Sequence, residues 1–148
     1  MKDVVVVDTS IVIKWVLNEA DTHAAEMLLV NWNSKNFTIL APTLLAYEVA
    51  NVLYQNVRKG NFTIERAREA FTGILNTGLI LDSSQVADIG KRSIELASQF
   101  NLPATYDAHY LALAEREGCE LWTADTRLWK TVHSNLPWVH TLSAYSIS

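Results

Sequence analysis

The sequence predicts an α/β protein in which helices cover both faces of a mainly parallel sheet. The first indication is Val4–Val7, four consecutive valines. A short β-branched run with no polar alternation reads as a strand buried on both faces. The second is the alternation of short apolar runs of three to six residues with helical patterns of ten or more, the signature of parallel β-α-β units. The third is the lack of any repeat, low-complexity tract or Pro/Gly/Ser-rich linker in 148 residues. A chain of this length buries about 68–70% of its unfolded surface as one unit, so a single domain over residues 1–148 is expected.

Each element has a local reason. After the valine strand (Asp3–Asp8), helical stretches are expected over Ile11–Leu17 and Thr22–Trp32, the second with Ala24, Met27, Leu28 and Val30 as apolar positions. Phe37–Ala41 reads as a strand ending at Pro42. Residues Thr43–Lys59 form a long amphipathic helix whose stripe is Leu44, Leu45, Val49, Val52 and Leu53, the spacing of one helical face. Ile64–Asn76 repeats the pattern with Ile64, Ala67, Phe71, Ile74 and Leu75. Then come a strand at Leu79–Leu81, helices at Gln85–Phe100 and Ala104–Glu117, and a strand at Glu120–Thr123. A short helix at Thr126–Val132 and a strand at Trp138–Leu142 complete the pattern. Gly60, Gly78 and Gly118 follow helix-like segments, where a left-handed cap favours glycine.

Composition excludes several classes. Hydrophobic residues make up 49% and charged residues 19%, a globular balance. The lone Cys119 rules out an internal disulfide framework. His23, His109, His133 and His140 form no spaced pair and have no cysteine cluster to join, which argues against structural zinc. No apolar run approaches the ~20 residues that span a bilayer, and no basic–apolar–cleavage order marks a leader. A soluble, cytoplasmic protein is expected. The net charge of −4 argues at first against a nucleic-acid binder. If four acids belong to a metal site, however, the remaining charge is balanced.

Those four acids carry the functional argument. Asp8 closes the first strand and Asp125 lies two residues past the strand ending at Thr123. Ligand sites of parallel sheets lie outside the carboxyl ends of the strands. Each also suits the N-cap of the following helix, and for either alone the two readings compete. Glu48 sits one turn after Leu44 and one before Val52, on or beside a buried face. Asp107 has Tyr110, Leu111 and Ala114 at three, four and seven residues on. Acids are almost never buried unpaired, and neither has Lys or Arg at i±3 or i±4; a tertiary partner is the alternative to a cation. Carboxylates converging on one sheet edge repel one another and attract a divalent ion. An all-oxygen donor set suits Mg²⁺ or Mn²⁺ rather than zinc.

The segments VVVVDTS (4–10), PTLLAYEV (42–49), YDAHYLALA (106–114) and LWTADTRL (121–128) together resemble the motifs of PIN-domain ribonucleases, most closely the VapC-type toxins of toxin–antitoxin pairs. The resemblance spans almost the whole chain, in order. It implies a three-layer α/β/α sandwich with a central, mainly parallel sheet. It also implies Asp8, Glu48, Asp107 and Asp125 as metal-binding, catalytic acids, RNA as substrate, an antitoxin as partner, and a homodimer or higher even oligomer. Ser10 and Thr123 match polar positions that orient carboxylates or water; a capping or strand-end hydroxyl is the plainer account of each. Thr126 and Arg127 stand where some relatives carry a further acid, which implies one resident ion with another recruited by the substrate. Hydrolysis by in-line attack of water leaves a 5′-phosphate and a 3′-hydroxyl.

Lys14, one turn after Ser10, and Arg127, two residues after Asp125, are candidate phosphate contacts, although a helix lysine is more often solvated. Arg58, Lys59, Arg66 and Arg68 cluster around an interhelical turn, where basic residues also serve helix dipoles. Of five tryptophans, Trp15, Trp32 and Trp129 lie near polar residues and can stack on bases or join an interface; most tryptophans should be core. His109, Glu19 and Asp82 read as structural, Asp82 as a helix cap. A PIN-like module that binds RNA or protein without cutting is the main competitor, but all four acids are present. A small-molecule phosphohydrolase is weaker. The place two residues after Asp8 is Ser10, not a second acid, and no GxGxxG, Walker A or GxSxG motif occurs.

Overall fold

The computed structural model describes residues 3–145. Among these, five strands form one sheet: β1 (Val4–Val7), β2 (Thr38–Pro42), β3 (Leu79–Asp82), β4 (Glu120–Thr123) and β5 (Val139–Thr141). The order is β3-β2-β1-β4-β5 and every neighbouring pair is parallel. The valine strand is central, with Val5 beside Ile39 on one side and Glu120 on the other. Val5, Val6 and Val7 are buried, as a two-sided parallel strand requires.

Seven α-helices connect the strands among the described residues: α1 (Thr9–Val12), α2 (Thr22–Ser34), α3 (Leu44–Arg58), α4 (Ile64–Leu75), α5 (Val86–Gln99), α6 (Tyr106–Glu117) and α7 (Thr126–Val132). The chain steps outward from β1 to β2 to β3, then crosses back to place β4 on the far side of β1. Right-handed crossovers put α1–α4 on one face and α5–α6 on the other, which is the expected α/β/α sandwich. The reversal of direction falls between β1 and β4. Ligand sites of parallel sheets lie at such a switch point, outside the carboxyl ends of the strands, and Asp8 and Asp125 stand at that edge.

Helix α6 is the most deeply placed of the connections. It packs on α5 and on β1, β2 and β4, and Ala108 and all of Tyr110–Ala114 are buried. It ends at Gly118 with φ +64°, a left-handed cap. A Cβ there meets nothing within 4 Å, so only backbone strain opposes another residue. Gly118→Ala is expected to lower stability by about 1 kcal/mol, measured by urea unfolding; an unchanged midpoint would remove strain from the account.

Three local expectations need correction. The segment Ile11–Leu17 is not one helix. The first turn starts earlier, at Thr9, because the Asp8 carboxylate accepts from the Ile11 N–H. It then tightens into a 3₁₀ turn over Ile13–Trp15. A β-branched run of Ile11, Val12 and Ile13 propagates an α-helix poorly. Trp32 is 4% exposed and packs edge-on to Trp122, so it is a core residue and not a base-stacking platform. Asp82 does not cap α5, whose N-cap is Gln85. Its carboxylate instead accepts from the Ser84 N–H and hydroxyl and pairs with Arg116. That network staples the β3–α5 turn to α6 and holds the Asp82 carboxyl below its usual range. Among the described residues no helix is long and apolar enough to cross a membrane.

Candidate metal centre and active site

The four acids reach the same cleft from four elements. Asp8 follows β1, Glu48 lies in the second turn of α3, Asp107 in the first turn of α6, and Asp125 follows β4. Asp8 is buried and the other three are half-buried.

The hydrogen bonds divide these carboxylates by how much acceptor capacity they keep. Asp8 is held on both oxygens. Ser10 donates to Oδ1 at 2.5 Å and Thr123 to Oδ2 at 2.5 Å, while the Ile11 N–H reaches Oδ1. Each hydroxyl is itself anchored by backbone just past β4. The Ala124 N–H donates to Ser10 Oγ at 2.8 Å and the Asp125 N–H to Thr123 Oγ1 at 3.0 Å. Ser10 and Thr123 thus tie the first acid to the segment that carries the last one. Asp125 caps α7 through Oδ1, which accepts from the Arg127 and Leu128 N–H groups; its Oδ2 accepts from none of the described residues. Both strand-end acids are therefore helix caps. Capping uses only part of what they offer and does not require a buried cleft.

Glu48 accepts from the hydroxyls of Thr9 (2.9 Å) and Tyr110 (2.5 Å), both on Oε1. The tertiary partners that sequence reasoning left open are therefore neutral donors rather than a lysine or arginine. Neither residue was singled out from the sequence as a site residue. The available signal was Tyr110 lying one turn after Asp107 on the same helix face, and it was absorbed into the apolar stripe. Asp107 accepts no hydrogen bond from the described residues; its favourable surroundings are the N-terminal turn of α6 and the distant Arg127.

The electrostatics follow from this crowding. Burial pushes the Asp8 carboxyl up to about 6, against the pull of the Ser10 and Thr123 hydroxyls, with Asp107 adding to the rise. Asp107 is also raised, first by burial and then by Asp125 and Glu48; Arg127 opposes the shift. Burial, the bond to Glu48 and the negative charge of the cleft raise Tyr110, so its hydroxyl remains a donor. The only described cation acting on the cleft acids, Arg127, has a side chain 94% exposed, with Nε 4.0 Å from Asp125 Oδ1. Lys14 is engaged elsewhere, 3.2 Å from Glu19.

This donor set suits a hard divalent cation. It offers free oxygens on Glu48, Asp107 and Asp125, carboxyls of Asp8 and Asp107 raised by burial and by neighbouring acids, and no buried cation among the described residues to relieve them. No three His, Cys, Asp or Glu groups among the described residues stand close enough together to enclose an ion. An open set of this kind fits Mg²⁺, which keeps several waters and takes few protein ligands. Of the remaining candidates, Trp15 donates its indole N–H to the Ala25 carbonyl, and Trp129 stacks on His133 at 4.0 Å. His109 binds the Thr105 carbonyl oxygen of its own helix.

Fold and cleft together define an α/β protein with an acidic centre at the carboxyl edge of a parallel sheet. The family model for the PIN domain matches residues 5–133, and the chain belongs to that family. It is 34% identical over 85 residues to Ribonuclease VapC3 of Pyrobaculum aerophilum; the match spans 57% of this chain and 64% of that protein. A solved toxin–antitoxin complex from Klebsiella pneumoniae contains a chain with the same fold, at TM-score 0.60 and 23% identity, covering 97% of this chain and 99% of that one. A crystal structure of a Pyrobaculum aerophilum protein aligns at TM-score 0.67 and 22% identity, covering 97% and 93%.

Proposed function

We propose that this protein is a divalent-metal-dependent endoribonuclease, the toxin of a VapBC-type toxin–antitoxin pair. In this reading Asp8, Glu48, Asp107 and Asp125 hold Mg²⁺ or Mn²⁺. The observation that carries the proposal is the set of four acids at the switch point of a PIN-family sheet, where burial and neighbouring carboxylates raise Asp8 and Asp107. The name of the Pyrobaculum relative supports the ribonuclease reading, and the Klebsiella complex supports an antitoxin partner.

A bound divalent ion supplies Lewis acidity toward a phosphodiester. The chain supplies placement. Asp8, fixed by two hydroxyls and a backbone N–H, is the rigid ligand; Asp107 and Asp125 offer oxygens with no competing donor; Glu48 offers Oε2. Arg127, exposed at the rim, is positioned for a phosphate oxygen and fixes register without reading sequence. Lys14 reaches a phosphate only by leaving Glu19, so its contribution is the smaller. Tyr47 and Tyr106, 72% and 59% exposed, directly precede Glu48 and Asp107. Exposed aromatic side chains beside the site support a homodimer or higher even oligomer that joins two clefts.

Partner-free protein incubated with total RNA should produce discrete fragments with Mg²⁺ or Mn²⁺ and none with chelator. Asp107→Asn, purified identically, should cut at least about 100-fold more slowly, the scale of losing electrostatic support at a reacting group. Equal cutting by both proteins would assign the activity to a contaminant. Ions should also stabilise the fold: at ten times the dissociation constant the gain is about 1.4 kcal/mol, a rise in Tm of about 3–5 °C for a domain of this size. A wild type whose melting ignores 10 mM Mg²⁺ and Mn²⁺ would overturn the metal reading.

A further inference from the structure

The hydroxyls around Glu48 carry a second assignment, which rests on the metal reading above. We propose that Tyr110 and Thr9 are positioning residues that lock the Glu48 carboxylate, saturating Oε1 so that Oε2 alone is presented to a divalent cation.

Three helices meet at this point: Thr9 opens α1, Glu48 lies on α3 and Tyr110 on α6. Tyr110 is 1% exposed and is the largest of the fully buried side chains, so core packing fixes its ring and therefore its hydroxyl. A phenylalanine would fill the same volume. The hydroxyl is instead buried, where it costs free energy unless bonded, and its partners are Glu48 Oε1 at 2.5 Å and Thr9 Oγ1 at 3.0 Å. Thr9 Oγ1 is 2.9 Å from the same Oε1. Both hydroxyls donate to that oxygen.

A glutamate side chain gives up rotamer freedom whenever it is held for a ligand, and two donors from different helices impose that order before an ion arrives. The arrangement parallels that at Asp8, where Ser10 and Thr123 do the same from another direction. Groups that orient ligands of this kind typically change metal affinity about 10–100-fold when removed.

The test is Mn²⁺ binding to full-length protein, read from the electron paramagnetic resonance signal of free Mn²⁺, with folding checked by near-ultraviolet circular dichroism. Tyr110→Phe should raise the Mn²⁺ dissociation constant about 10-fold while keeping native dichroism. Thr9→Val should weaken binding in the same direction, and Thr9→Ser, which restores the hydroxyl, should return it toward wild type. In a Glu48→Gln background Tyr110→Phe should cause no further loss. Wild-type affinity in both Tyr110→Phe and Thr9→Val overturns the assignment while leaving the metal reading intact. An undiminished loss in the Glu48→Gln background also overturns it, since the hydroxyl then acts other than through Glu48. A wild type that binds no Mn²⁺ overturns the metal reading and this assignment with it.

Discussion

Asp8→Asn should make the metal-free protein more stable at pH 8 while removing its proposed activity. The Asp8 carboxyl is raised from an ordinary 3.8 to about 6 by burial, so the folded state binds its proton more tightly than the unfolded chain does. Below pH ~3.8 the group is protonated in both states and costs nothing. As the pH rises toward 6 the unfolded chain releases the proton first, and above 6 the folded state carries the whole penalty of a buried charge. A gap of about two pH units corresponds to about 3 kcal/mol. Asparagine has no charge to bury and accepts from one of the two hydroxyls. Unfolding by urea in chelator should therefore show the variant about 2–3 kcal/mol more stable at pH 8, with the difference fading near pH 4. A variant that is less stable than wild type at pH 8 would mean that the hydroxyl cage fully compensates the charge. Added Mn²⁺ should narrow the gap by stabilising the wild type alone.

Leu111→Ala should have the opposite sign and the largest cost of any truncation beside the site. Leu111 is fully buried in α6, which packs on α5 and on three strands. Leucine-to-alanine changes at such positions cost about 2.7–5 kcal/mol, with the larger values where the cavity cannot collapse. A helix wedged between another helix and a sheet collapses poorly, so about 4 kcal/mol is expected, a large share of a typical 5–15 kcal/mol. Because α6 also carries Asp107 and Tyr110, cleavage should fail on warming well before that of wild type. A loss below 1.5 kcal/mol by urea titration would show that α6 is less constrained than its burial indicates.

The sheet and the four acids were legible because each leaves a one-dimensional trace. A valine run has a single reading as a two-sided parallel strand, and an acid within an apolar helical stripe contradicts its surroundings. What could not be read was held by tertiary contact. Tyr110 fits its stripe as well as a leucine would, and only the approach of α3 and α1 gives its hydroxyl a purpose. Lys14 has the right spacing for a phosphate, but the loop after the 3₁₀ turn brings Glu19 to it. Trp32 sits among asparagines in sequence, and the neighbour that decides its burial, Trp122, is 90 positions away. Asp82 has the local signature of a cap, whereas the cation that pairs with it, Arg116, comes from α6, 34 positions on.

The strand order also governs when the cleft can exist during synthesis. The central strand β1 is made well before one of its two neighbours, β4, which spans Glu120–Thr123. Until that segment has left the ribosome, β1 lacks one side, Asp8 lacks the Thr123 hydroxyl, and Asp125 has not joined the other three acids. A nascent chain that has not yet exposed Glu120–Asp125 therefore cannot bring the four acids together. Under the proposed function, the enzyme would stay inert toward the ribosome and message producing it until Asp125 has emerged, with no inhibitor needed in that interval.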